Sequence, residues 1–73
     1  MSAVRKRSVS IRGHRTSYSL EEPFYADLLT IAAERNMALA ALVAEIDAAR
    51  PRDVNLSSAL RLHVLNWAKG GLP

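Results

Sequence analysis

The 73-residue sequence predicts a mainly α-helical fold with one short β-strand, assembled as an intertwined homodimer. Residues 15–20 alternate between outward and core-type side chains, which indicates a strand, and three apolar stripes of helical period follow it. A single strand leaves its N–H and C=O groups unpaired along both edges, and no later segment has the pattern of a second strand. We therefore expect the strand to pair antiparallel with its own copy across a twofold axis.

The segment before this strand is predicted to be a basic arm, residues 1–13, extended or partly disordered. Val9 and Ile11 alternate with polar residues, but on the opposite parity to Tyr18 and Leu20. Such a change of parity needs an extra residue, and Gly13 lies where a bulge would supply it. We expect the domain proper to cover residues 14–70, with a tail at residues 71–73.

The first helix is indicated by Pro23, which the first helical turn tolerates, and by Glu21 and Glu22, whose charges suit a helix N-terminus. Asn36 tolerates the left-handed conformation that often ends helices, so we expect a tight turn there and a second helix after it.

Pro51 prevents the second helix from continuing through this position. Asp53 or Asn55 can then cap a third helix that runs from about residue 56 to residue 69. Trp67 belongs to this additional C-terminal helix, and we expect its side chain to pack against the core. The predicted dimer core consists of Tyr18, Leu20, Phe24, Leu28, Ile31, Leu42, Val43 and Ile46.

Size and composition favour association of the chain with itself. A chain of this length buries only about 60% of its unfolded surface, so a monomer is expected to be marginally stable. Without cysteine, neither disulfides nor thiolate metal sites can stabilise the fold. No signal peptide is evident and no segment approaches the ~20 apolar residues that cross a bilayer, so we expect a cytoplasmic protein.

Positive charge is concentrated near the N-terminus. Residues 1–18 contain five basic residues and no acid, whereas residues 19–73 contain five basic residues and seven acids. A basic N-terminal segment followed by a slightly acidic remainder suggests that one face of the protein contacts a polyanion. A solubilising tail is the alternative interpretation of residues 1–7.

An enzymatic function is not predicted. The two histidines, His14 and His63, are far apart in the pattern, and the carboxylates have no recognisable metal-binding or acid–base spacing. No glycine-rich phosphate loop is present in the sequence. We expect no catalytic residues, no metal and no cofactor.

The sequence resembles a known family in three blocks: KRSVSIRGHRTSYSLEEPF, ALVAEID and NLSSALRLHVL. Together they are similar to the ribbon-helix-helix (Arc/MetJ-type) superfamily, and more narrowly to small bacterial ribbon-helix-helix domain proteins. The resemblance implies an antiparallel ribbon that enters the DNA major groove, which a two-stranded ribbon fits.

The resemblance also implies roles for individual positions. The base-contacting side chains would be Arg15, Ser17 and Ser19. The phosphate contacts would come from Arg5, Lys6, Arg7, Arg12, His14 and the backbone N–H groups of Ala38, Leu39 and Ala40. The family often has Ser or Thr as the cap of the second helix, so alanine here implies a weaker phosphate clamp.

Three functions remain open at this stage. The leading hypothesis is a homodimeric DNA-binding protein, a transcriptional repressor whose partners are double-stranded DNA and its own copy, with higher assembly on DNA left open. The second is an antitoxin that uses the same ribbon and blocks a toxin with its C-terminal segment. The third is a protein-binding dimerisation module that does not bind DNA.

Overall fold

The computed structural model describes residues 3–70 as a two-stranded antiparallel sheet followed by three helices. The elements are β1 (Val4–Ile11), β2 (His14–Glu21), α1 (Glu22–Glu34), α2 (Leu39–Ala49) and α3 (Leu56–Ala68). The predicted tail, residues 71–73, and the first two residues of the predicted arm lie outside the described residues.

The expectation of a single strand is wrong, because the partner strand precedes β2 in the same chain. Residues 4–11, expected as part of an arm, form β1 and pair with β2 in a register that joins Ile11 to His14 and Val4 to Glu21. Arg12 and Gly13 connect the strands with φ angles of 50° and 82°. Two positive φ angles in a two-residue loop are typical of a type I′ turn, whose twist matches that of the strands.

The expected bulge at Gly13 is also wrong, since the turn itself explains the change of parity. Ile11 and His14 face each other across the two-residue loop, so odd-numbered residues of β1 share a face with even-numbered residues of β2. Val9 therefore lies on the same side of the sheet as Tyr18 and Leu20.

The helices begin and end at local sequence signals. Pro23 lies in the first turn of α1, and Asn36, with a φ of 55°, turns the chain toward α2. Asn55 caps α3 by accepting a hydrogen bond from the Ser58 N–H at 2.8 Å. Ala38 at the start of α2 provides no side-chain cap.

One hydrophobic core lies between the hairpin and the three helices. Its buried members are Ile11, Tyr18, Leu20, Leu28, Ile31, Ala32, Leu42, Val43, Ile46, Leu56, Ala59, Leu60 and Val64. Phe24 and Trp67 pack against it while partly exposed. Strand β1 and helix α3 help to enclose this cluster, while the large apolar side chains of Val4, Leu29, Leu62 and Leu65 are exposed. Dimerisation stays a prediction.

Helix α3 also covers part of the outer edge of β2. The Ser19 N–H donates to Ser57 Oγ at 2.9 Å, and Arg61 donates to the Ser19 carbonyl at 3.2 Å. Arg61 further pairs with Glu21 at 2.9 Å. The β2 backbone at this point is therefore satisfied on both sides, by β1 and by α3.

Candidate nucleic-acid interface

The hairpin has an inward face on the helices and an outward face. The register places six polar residues of equivalent parity on the outward face: Lys6, Ser8 and Ser10 from β1, and Arg15, Ser17 and Ser19 from β2. They form three cross-strand pairs, in which Lys6 faces Ser19 and Arg15 faces Ser10. We name these six residues the serine face. It has one cation at each end, on opposite strands, and short hydroxyl side chains between them.

The two cations of the serine face have no carboxylate partner among residues 3–70. Lys6 and Arg15 are both exposed, and no salt bridge of the described residues includes either. Glu21, at the end of β2, lies on the same outward face as Ser19, and it pairs with Arg61. The hydrogen bond from Arg61 lowers the pKa of Glu21, so this carboxylate is ionised and compensated at neutral pH.

Other predicted phosphate contacts lie away from the serine face. Arg5 and Arg7 have the inward parity, and both pair with Glu22 at 3.1 Å. Arg7 is the more enclosed, with 26% of its side chain exposed and its guanidinium 3.5 Å from the centroid of the Tyr25 ring. Its Nε is buried without a partner in the described structure. Arg7 therefore connects β1 to α1.

The turn carries the remaining predicted cationic contacts. Arg12 pairs with Asp47 at 3.4 Å, and the Arg12 side chain is 63% exposed whereas that of Asp47 is only 17% exposed. Arg50 also pairs with Asp47, and its hydrogen bond is the largest cause of the lowered pKa of that carboxyl. His14 is exposed next to the turn. Arg12 and His14 are therefore accessible at the tip of the ribbon.

The N-terminus of α2, the predicted phosphate clamp, lies beside β1. Leu39 and Ala40 line a cleft of about 270 Å³ that also includes Val9 of β1 and Tyr18 of β2. Ala38 and Ala40 are exposed, and no side chain caps the first amides of the helix. Burial raises the pKa of Tyr18, so its hydroxyl stays protonated at neutral pH. The first turn of α2 is thus near the ribbon, as a backbone phosphate contact requires.

Ser8 and Ser10 were missed as site candidates because residues 1–13 were interpreted as an arm. The signal was present in the two alternating segments on either side of Arg12 and Gly13. A two-residue loop containing glycine between such segments predicts a hairpin, and the opposite parities are its normal consequence. Applying that rule would have added both serines to the outward set with Lys6.

A sequence model of the ribbon-helix-helix domain matches residues 4–68, most of the chain. The chain belongs to the ribbon-helix-helix domain family. This is a family of DNA-binding, non-enzymatic regulators whose members bind DNA as dimers. No curated protein and no solved structure shows significant similarity to the chain. Within residues 3–70, no helix has the length and apolar character that spanning a membrane requires.

Proposed function

We propose that this ribbon-helix-helix protein is a cytoplasmic homodimeric transcriptional repressor that inserts the serine face into the DNA major groove. The observation that carries the proposal is the composition of this face. It presents two cations without carboxylate partners and four serines, and the nearest acid of the same parity is neutralised by Arg61.

The shape of the hairpin supports entry into the groove. The major groove of B-DNA is about 12 Å wide and admits a two-stranded ribbon. Serine side chains are short enough to bring the backbone near the base edges, and their hydroxyls can donate or accept hydrogen bonds. Ser17 and Ser19 are proposed to contact bases, as is Arg15, whose guanidinium can bind guanine with two hydrogen bonds.

Phosphate contacts are proposed at the margins of the ribbon. Lys6 is the best-placed side chain, because it is exposed and has no salt bridge in the described structure. Arg12 and His14 at the tip, Arg5 near the other end and the backbone amides of residues 38–40 would add contacts. Arg7 is the weakest of the proposed contacts, since a phosphate would have to compete with Glu22 and Tyr25.

The proposal is tested by fluorescence anisotropy titrations of a duplex from the region upstream of the coding sequence and of a scrambled duplex. The parent protein should bind both in a salt-dependent way and prefer one. Arg15→Ala should keep its circular dichroism spectrum, because the side chain points away from the core. If Arg15 reads guanine, the preference should fall by about 1–3 kcal/mol per lost contact. If it holds phosphate, both affinities should fall alike.

Lys69→Ala is the matched control, because it removes the same charge from an exposed position at the end of α3. It should leave both titrations nearly unchanged. A parent protein without salt-sensitive DNA binding would exclude the repressor function and favour the dimerisation module. Equal losses for Arg15→Ala and Lys69→Ala would mean that net charge, rather than the serine face, determines binding.

A further inference from the structure

The two strands of the hairpin repeat one sequence pattern. Residues 6–11 have the sequence KRSVSI, and residues 15–20 have the sequence RTSYSL. A cation, two serines and a final aliphatic residue thus recur nine positions later, and the one change of charge is at Arg7, which corresponds to Thr16. The final residues of the two segments, Ile11 and Leu20, are both buried in the core. The repeat therefore extends to the packing of the two strands.

The register of the hairpin turns this repeat into symmetry. Ser8 and Ser17 face each other at the middle of the serine face. A twofold axis that passes between them, perpendicular to the sheet, exchanges the two antiparallel strands. The axis exchanges three pairs of residues of the serine face: Lys6 with Arg15, Ser8 with Ser17 and Ser10 with Ser19. After a half-turn, this face of one chain therefore presents the same chemistry, with lysine in place of arginine at one end.

Duplex DNA has a twofold relation of the same kind between its antiparallel strands, and twofold symmetry in a protein matches inverted repeats in its DNA site. When the two axes coincide, Lys6 and Arg15 meet equivalent positions on opposite DNA strands. Both arginine and lysine bind the O6 and N7 atoms of guanine. A sequence that offers guanine to both side chains reads the same on its two strands.

We propose that the hairpin of a single chain recognises a short inverted repeat, in which Arg15 and Lys6 each contact a guanine of a different DNA strand. The inference rests on the DNA binding of the proposed function and specifies the sequence element. Lys6 keeps the phosphate contact given above, because its ammonium group has three donors and can bond a base edge as well. Ser8 and Ser10 then contact bases as their equivalents on β2 do.

The hairpin also sets the spacing of the two guanines. Lys6 and Ser10 are four residues apart on β1, and Ser10 faces Arg15. A strand rises about 3.4 Å per residue, so the two cations start from rows roughly 13 Å apart. Successive nucleotides of a DNA strand are about 3.4 Å apart, so this separation corresponds to roughly four base-pair steps. Because both side chains are long, the expected spacing is about three to five steps.

The first test is the selection of bound duplexes from a randomised pool, followed by sequencing. A homodimer places two hairpins on one duplex, so the symmetry is scored within the short element that one hairpin contacts. The parent protein should enrich elements with a guanine on each strand at the stated spacing. Elements with a guanine preference at one end only would overturn the inference.

Two variants distinguish the symmetry of one hairpin from that of a dimer. Arg15→Ala and Lys6→Ala should each remove the guanine preference, roughly fivefold to 100-fold, at one end of every element and keep it at the other. If the symmetry came only from two copies of the chain, Arg15→Ala would remove both preferences and Lys6→Ala neither. That result would overturn the inference. Anisotropy titrations of the selected element, with one or the other G·C pair changed to A·T, measure these preferences even where a variant binds weakly.

Lys6→Arg makes the two ends of the serine face chemically equal, so it should equalise the two guanine preferences. Preferences as unequal as those of the parent protein would contradict the pairing of Lys6 with Arg15. Lys69→Ala is the matched control, because it removes the same charge at the end of α3 and should change neither preference.

The outcomes also separate this inference from the proposed function. A parent protein that enriches no sequence and shows no salt-dependent binding to duplex DNA would refute both. Salt-dependent binding to elements that lack the internal symmetry would refute the inference alone and leave the repressor function supported.

Discussion

Neighbouring basic residues in β1 have different surroundings, because successive side chains of a strand lie on opposite faces of the sheet. Lys6 lies on the serine face, whereas Arg7 lies over Tyr25 and pairs with Glu22. The charge run at residues 5–7 predicted a single basic patch, but side chains of opposite parity cannot share a face of a sheet. The basic segment therefore combines a residue of the proposed interface with a structural one.

We expect Arg7→Ala and Lys6→Ala to separate stability from DNA binding. Arg7→Ala loses the contact with the Tyr25 ring and part of the packing of β1 on α1, so it should lower the free energy of unfolding by about 1–2 kcal/mol. Lys6→Ala should leave stability within about 0.5 kcal/mol and reduce the salt dependence of DNA binding by about one unit.

Thermal unfolding and salt titrations of duplex binding measure both effects. Equal stability losses would contradict the difference in burial between the two side chains. A reduced salt dependence in Arg7→Ala, with no reduction in Lys6→Ala, would mean that Arg7 leaves Glu22 to bind phosphate.

The pH dependence of stability should follow three carboxylates that accept hydrogen bonds from arginine. These bonds lower the pKa of Glu21, Glu45 and Asp47 from ordinary values of 4.5 for the glutamates and 3.8 for the aspartate. A lowered pKa in the folded state gives stability that is present above the ordinary value and lost as the pH falls through the lowered one. The midpoint of thermal unfolding should therefore be steady from pH 7 to about pH 5 and fall toward pH 3.

Glu21→Gln removes one of these groups, so it should flatten the fall below pH 4.5 and lower the midpoint at pH 7. Asp27→Asn is the control, because Asp27 has no salt bridge among residues 3–70, and its acid profile should match that of the parent. A parent midpoint that does not change between pH 5 and pH 3 would contradict the role given to these ion pairs.

Among the elements, α3 has a role beyond covering the core. Ser57 in its first turn accepts the Ser19 N–H, so the helix stabilises an edge of the sheet. The sequence predicted its position from Pro51, Asn55 and the apolar stripe, because these are local signals. The contact with β2 spans 38 residues of sequence and has no local signal.

Ser57→Ala should lower the free energy of unfolding by about 1–3 kcal/mol, because it leaves the half-buried Ser19 N–H without a partner. Ser58→Ala is a matched control in the same helical turn, since Ser58 contributes its backbone N–H to the Asn55 cap and keeps it after substitution. Thermal unfolding should show a larger loss for Ser57→Ala. Amide exchange at Ser19 should also be faster in that variant, and unchanged exchange would mean that the contact with α3 does not protect this edge.

Strand β1 was the element that sequence analysis did not identify, and the reasons are physical. Its inward positions include Arg5 and Arg7, which an alternating apolar pattern does not anticipate, because Glu22 and Tyr25 compensate them only in the folded chain. The turn uses Arg12 at a φ of 50°, where asparagine, aspartate or glycine is the usual signal. The helices were predicted well because Pro23, Asn36 and Pro51 act locally on the backbone.

In the molecule as a whole, the two faces of the hairpin carry different side chains: one face packs on the helices and the other presents polar and charged groups. The inward side of the hairpin contributes Ile11, Tyr18 and Leu20 to the core, and the outward side carries the serine face. Substitutions on the outward side are therefore expected to leave the core closed.

We expect the serine face to contact duplex DNA. The most direct measurement is a titration of the ¹⁵N-labelled protein with an upstream duplex, followed by amide chemical shifts. We expect the largest changes at the six residues of the serine face, Lys6, Ser8, Ser10, Arg15, Ser17 and Ser19, with smaller ones at the first turn of α2 and none at the far end of α3. Shifts concentrated on α3, or absent from the hairpin at saturating duplex, would contradict it.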